Sequence, residues 1–211
     1  PGQDERPGAL FAKVEELGLA ERTIIVFQSD NGHSTEERAH FGGGSAGPYR
    51  GAKFSLFEGG IRLPAIISWP GTLPQNEVRD HVAHACDWLP TLAALAGVQP
   101  PDTHLDGRSL LPILRDPKAP GPHTAHALHW QVGDGPNADW AVRDGEWKLL
   151  GNARDTGGGI AWGPGATKKG VDRIPLFLAN ITADPAEITN LADRHPDIVA
   201  RLRQLHEDHL R

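Results

Sequence analysis

The sequence predicts an α/β layer followed by a small antiparallel sheet that carries a terminal helix. Three observations lead there. A helical stretch near residues 8–17 runs straight into the apolar, β-branched run Thr23-Ile-Ile-Val-Phe27. A second run of that kind, Pro64-Ala-Ile-Ile-Ser-Trp69, closes in a Pro70-Gly71 turn. Past the proline-rich stretch at 112–122 the pattern changes to short alternating segments around Asp144-Gly145.

In the first helix Leu10, Val14 and Leu17 recur at i, i+4, i+7, and Gly18 stands where a C-cap glycine belongs. The run after it is apolar on both faces, which suits a buried parallel strand. Residues 33–60 are polar and glycine-rich, a loop long enough to suggest function or disorder. The second strand is expected at 64–69, and a helix from Asp87, as N-cap, through Leu89, Leu92 and Leu95 to Gly97. Cys86 opens that helix and reads as a small buried residue. The 112–122 stretch divides residues 1–122 from a second part, 123–211. There, Trp140-Ala-Val-Arg and Glu146-Trp-Lys-Leu-Leu flank Asp144-Gly145, a two-residue hairpin signal. Leu176-Phe-Leu-Ala-Asn-Ile is another strand, and Ile198, Leu202, Leu205 and His209 form one stripe of a closing helix.

Composition narrows the function. The chain has 211 residues and a formal charge of -6, with no basic run interleaved with aromatics, so nucleic acid is not the expected partner. Gly 25 and Pro 18 make up about a fifth of it, so loops are plentiful. A single cysteine permits no internal disulfide. No apolar stretch approaches the length of a membrane span. The opening PGQDERPGALF lacks the basic and apolar regions of a signal peptide.

Two clusters could carry chemistry. Asp30 and Asn31 follow the first strand, and Gly32 marks the point where the backbone turns, so both side chains can converge. A carboxylate and an amide oxygen are hard donors that suit Ca²⁺ or Mg²⁺ rather than zinc. The same three residues are also ordinary turn chemistry, an Asx-type cap on a strand. Downstream, Arg50, Lys53 and Arg62 lie on a glycine-rich backbone that could receive a tetrahedral dianion. The plainer alternative is that the arginines pair with Glu58 while Lys53 is solvated. His33 and His40 flank this region and are candidates for substrate contact.

The string Thr23-Ile-Ile-Val-Phe-Gln-Ser-Asp-Asn-Gly32 resembles the sulfatase family's strand that ends in two metal ligands. Tyr49-Arg-Gly-Ala-Lys-Phe-Ser-Leu-Phe-Glu-Gly-Gly-Ile-Arg-Leu-Pro64, with Trp69-Pro-Gly71, resembles that family's second signature. Asp87-Trp-Leu-Pro-Thr91, Asp106-Gly-Arg-Ser-Leu110, Trp140-Ala-Val-Arg, Trp147-Lys-Leu149, Asp184-Pro-Ala-Glu and Asn190-Leu-Ala192 are similar to its later segments, in order. The resemblance implies an alkaline-phosphatase-like fold: a mixed sheet between helices (here in part), then a C-terminal subdomain. It further implies hydrolysis of a sulfate ester, aryl sulfate or sulfated sugar, with Ca²⁺ ahead of Mg²⁺ as the metal. Asp30 and Asn31 would be metal ligands, and Lys53 would hold a sulfate oxygen and stabilise the leaving group. His33 would share in catalysis and, with His40 and Arg50, in substrate binding. Arg62 is assigned to structure, paired with Glu58. An extracytoplasmic location is implied by the resemblance alone.

The match departs from the family in two respects. A sulfatase takes its formylglycine from a C/S-x-P-S/A-x-R string, and no such string occurs here; Cys86 does not fit it. The paired early acidic ligands are also absent. The expectation is therefore a C-terminal portion whose N-terminal part lies upstream, inactive alone and prone to aggregate at unpaired sheet edges. Two alternatives stand beside it: a phosphonate or phosphate ester hydrolase of the same superfamily, and a non-catalytic remnant.

Overall fold

The computed structural model describes residues 2–36, 42–157 and 173–211. They form two compact units, residues 1–28 with 64–124 and residues 29–63 with 125–211.

In the first unit, helix α1 spans Gly2–Glu16, with acidic Asp4 and Glu5 in its first turn and Lys13 in its last, as the helix dipole favours. Gly18 follows it in the left-handed conformation, φ 66°, and the Leu19 amide donates to Val14 O at 3.0 Å. Strand β1 is Ile25–Gln28 and β2 is Ala65–Ser68. They pair antiparallel, with Phe27 opposite Ile66, so the parallel strand expected from the apolar run is corrected. An apolar run reports burial and carries no information about direction. Nor is the ribbon wholly buried: Phe27 is 50% and Ile66 60% exposed.

The short helix α2, Glu58–Ile61, belongs to the second unit. Helix α3 is Trp88–Ala96, closed by Gly97 at φ 69°. Asp87 does not cap α3. A 3-10 turn at Ala85–Asp87 extends the helix backwards, so the Asp87 carboxylate instead accepts from the His84 amide at 2.7 Å. It also accepts from the Arg108 amide at 2.8 Å and lies 2.8 Å from His123 Nε2, all in a fully buried position. That rotation leaves Cys86 exposed, contrary to the sequence expectation. Its thiol lies 3.0 Å from His84 Nδ1. Partial burial, then the charges of Asp87 and Asp106, push the thiol's pKa up, so this is not an activated cysteine. His81 meets the carbonyl of Ala119 at 3.1 Å. Helix α4, Leu111–Arg115, has a proline in its first turn.

The second unit is built on a four-stranded antiparallel sheet: β3 Leu128–Val132, β4 Asp139–Asp144, β5 Trp147–Arg154 and β6 Arg173–Asn180, in that order. Asp144 pairs with Trp147, so the hairpin turn is Gly145-Glu146, one residue later than the dipeptide suggested. Period-two alternation sends Ala141, Leu150, Phe177 and Ala179 to one face, where Leu56 and Phe57 cover them. Val142, Leu149 and Leu178 point to the other, where Leu202 seals the core under helix α5, Pro196–His209. The stripe Ile198, Leu202, Leu205 faces that core, as the helical period requires. At the margin of α5 the rings of His129 and His209 stack at 3.9 Å, those of Trp140 and His206 at 4.0 Å, and His129 Nε2 lies 2.8 Å from His206 Nδ1.

Candidate functional site

The candidate residues Asp30, Asn31, His33, Arg50 and Lys53 all fall in the second unit. His40 lies outside the described residues.

Directly after β1 in the chain, the Ser29 hydroxyl donates to Asn31 O at 2.9 Å and closes the turn. An Asx turn would have used the side-chain oxygens of Asp30 or Asn31 for this purpose. Neither side chain hydrogen-bonds or ion-pairs with any described residue. Asp30 is exposed and Asn31 half-buried. The donor set is thus one carboxylate and one amide oxygen, both hard and both uncommitted, which fits part of a Ca²⁺ shell of 6–8 oxygens. Among the described residues no group of three or more His, Cys, Asp or Glu could hold a metal.

The turn is anchored by backbone. The Gly32 amide donates to Gly60 O at 2.8 Å, and the Gly59 amide to Arg50 O at 2.7 Å. Gly59 and Gly60 belong to α2, Glu58–Ile61, a single helical turn whose first three residues are buried. A Cβ on Gly32 would stand 2.1 Å from Gly59 O, and one on Gly59 would stand 2.3 Å from Gly51 O. Only glycine permits three backbone segments to approach this closely.

The same stack places Lys53. Its amide donates to His33 O at 2.9 Å, which ties the loop carrying Lys53 to the turn after β1. Its ammonium lies 3.6 Å from Glu36, a carboxylate only 2% exposed that also accepts from the Ser34 hydroxyl at 3.1 Å. The His33 ring presents a buried Nδ1 with no hydrogen-bond partner among the described residues. Arg50 is engaged elsewhere. Its Nε donates to Asp155 Oδ2 at 2.7 Å and its Nη1 to Glu187 O at 3.1 Å, and its guanidinium sits 4.2 Å over the Phe57 ring. Arg62 pairs with Glu58 at 3.6 Å, as its position in the sequence suggested.

Four residues that sequence reasoning did not single out complete the site. Thr156 accepts from the Ala52 amide at 3.2 Å and donates towards Ala52 O and Lys53 O at 3.0 and 2.9 Å. Lys148, fully buried in β5, reaches Glu58 Oε1 at 2.8 Å and Glu187 Oε1 at 3.0 Å. Glu187 also accepts from the Glu58 amide at 2.5 Å. Burial pushes the Glu187 carboxyl's pKa up, against the opposing pull of Lys148. Glu36 is the fourth. Local spacing does not reveal the roles of Thr156, Lys148 and Glu187, because their partners lie far away in the chain.

The sulfatase family model matches residues 4–98. Arylsulfatase A of Bos taurus is 35% identical over 208 residues, covering 95% of this chain and 39% of that protein. The crystal structure of Ps i-CgsB superposes with a TM-score of 0.74 at 26% identity, covering 95% of this chain and 39% of that one. The phosphonate monoester hydrolase of Agrobacterium radiobacter gives 0.62 at 22% identity, covering 98% and 38%, a likeness of fold. The chain spans about two fifths of the length of the relatives it matches. The expected fold class holds: helices with antiparallel sheets, and structural neighbours of the alkaline-phosphatase-like fold. No helix among the described residues is long and apolar enough to cross a membrane.

Proposed function

Because the chain belongs to the sulfatase family, we propose that it carries part of the metal and sulfate site of a sulfuric ester hydrolase. Residues 1–122 are read as the C-terminal portion of the catalytic α/β domain, and 123–211 as the following subdomain. Asp30 and Asn31 would supply two oxygens to Ca²⁺, which when bound contributes positive charge where the ester oxygens gather negative charge. Lys53 holds a sulfate oxygen and faces the charge that builds on the leaving group. His33, whose Nδ1 has no hydrogen-bond partner among the described residues, is assigned to catalysis and substrate contact. His40 is assigned to substrate contact as well. Arg50, held by Asp155 and Glu187, shapes the loop in this reading. An extracytoplasmic location accords with the family.

The observation that carries the reading is the pair of uncommitted oxygens on Asp30 and Asn31, on a turn bonded through His33 O to the Lys53 amide. The 211 residues contain no C/S-x-P-S/A-x-R string, so they are assigned binding and no ester cleavage by themselves. The test is a titration of the purified chain with Tb³⁺, competed by Ca²⁺, and with sulfate, followed by incubation with an aryl sulfate. Weak saturable binding of both ions without sulfate release is expected. Binding of neither would overturn the reading, as would turnover of the ester. Phosphate displacing sulfate in large preference would favour the phosphonate or phosphate hydrolase instead.

A further inference from the structure

We infer that Lys148 of the C-terminal sheet, with Glu58 and Glu187, is the positioning element that holds the metal turn and the Lys53 loop in register. This rests on the assignment of Asp30, Asn31 and Lys53 as the site. Lys148 shares the face of β5 that carries Leu150, and that face is covered by Leu56 and Phe57 of the loop bearing Lys53. Its ammonium is fully buried and bridges two carboxylates that are themselves buried. Glu58 opens α2, and Glu187 accepts from its amide. Two neighbouring residues of α2 then make the bonds that matter to the site. Gly60 O receives the Gly32 amide beside Asp30 and Asn31, and the Gly59 amide reaches Arg50 O, three residues before Lys53.

The connection is therefore continuous. From Lys148 it runs to the Glu58 side chain, through α2, and into both halves of the site. Glu187 adopts φ 52°, a left-handed conformation that a non-glycine residue holds only where surrounding contacts enforce it. Its backbone carbonyl also receives Arg50, so one residue fixes both α2 and the strand of loop next to it. Lys148 commits its ammonium to Glu58 and Glu187. It is a positioning residue, and its substitution changes how the site is held rather than what it contains. A lysine whose only task were sheet stability would not require a buried partner, Glu58, from the segment that covers that sheet, beside Glu187 from the chain that follows β6.

The test uses the full chain and hydrogen exchange resolved at single amides. Lys148→Met is expected to speed exchange of the Gly32 and Gly59 amides by about tenfold, while the Leu149 and Leu178 amides in the sheet stay within about twofold. Sulfate protection of Lys53 from acylation should fall by a similar factor, and Lys148→Arg should restore both. Should Lys148→Met fail to fold, Glu187→Gln keeps the shape and removes one charge. It is expected to show the same local pattern at about threefold. Unchanged exchange at Gly32 and Gly59 would overturn the proposal, and so would a uniform rise across site and sheet. The absence of Tb³⁺ and sulfate binding in the unsubstituted chain would count against the sulfatase reading alone, because the exchange pattern does not depend on either ion.

Discussion

The Lys53 ammonium stands 3.6 Å from the Glu36 carboxylate, one of the most deeply buried charges in the unit. Lys53→Ala removes both the cation proposed to hold sulfate and a positive charge beside that carboxylate. It should weaken sulfate binding about tenfold and cost about 1–3 kcal/mol of stability. Lys53→Ala with Glu36→Gln should recover most of the stability and none of the sulfate affinity. Calorimetric titration and urea unfolding of the two variants separate these effects. Recovery of sulfate binding in the double variant would place the anion elsewhere.

The proposed metal site offers two protein oxygens, and two make a weak calcium site. Tb³⁺ or Ca²⁺ should bind at about 10⁻³ M or weaker, and Asp30→Ala should abolish the binding while leaving the urea midpoint unchanged. The carboxylate is exposed and unpaired among the described residues, so its removal breaks no bond of the fold. Luminescence titration checks the first statement and chemical unfolding the second. Micromolar affinity would contradict the donor count.

His129 provides a pH prediction. Partial burial first, then the charges of His209 and His206, lower its pKa to about 4. The folded chain therefore resists taking a proton that the unfolded chain accepts near pH 6.5. Stability is complete above about pH 6.5 and declines as the pH falls towards 4, by about 1 kcal/mol after allowance for the ring's partial exposure. His206, lowered by its own burial, shifts in the same direction. His129→Gln should flatten this part of the curve. Melting temperatures recorded between pH 7 and 4 for both proteins decide it.

Leu202 is the fully buried contact between α5 and the sheet. Leu202→Ala should destabilise the chain by about 2–5 kcal/mol, the cost of lost transfer energy plus a cavity. The loss should appear as a lower urea midpoint at an unchanged slope. A change below about 1 kcal/mol would mean that α5 is not docked on the sheet as described.

Elements defined by local periodicity were legible in the sequence. The stripe Ile198, Leu202, Leu205 marked α5, and Asp144-Gly145 marked the β4–β5 hairpin to within one residue. Strand direction was not, since Thr23–Phe27 is equally apolar in either pairing. Beyond the local Arg62–Glu58 pair, the fate of charges was not legible either. Lys148 stands in Trp147-Lys-Leu149 like any solvated lysine, yet its partner Glu58 lies 90 positions away. Asp87 sits at a helix start, where a cap is expected, but His123 and the Arg108 amide compete for its oxygens from remote segments. Of the candidate site, the chain order of Asp30, Asn31, His33 and Lys53 could be read. The backbone bonds that join them, and the uses of Arg50 and Glu36, depend on tertiary contacts.

The glycine stack at Gly32, Gly59 and Gly60 restricts where this family member can change. A Cβ at any of them would meet carbonyl oxygens of neighbouring backbone, and no rotamer shift or compensating side-chain trim can move those atoms aside. Substitutions compatible with the fold must therefore fall in the surrounding side chains and leave this inner seam unchanged. The part of the chain with the least side chain is the part that tolerates the least substitution.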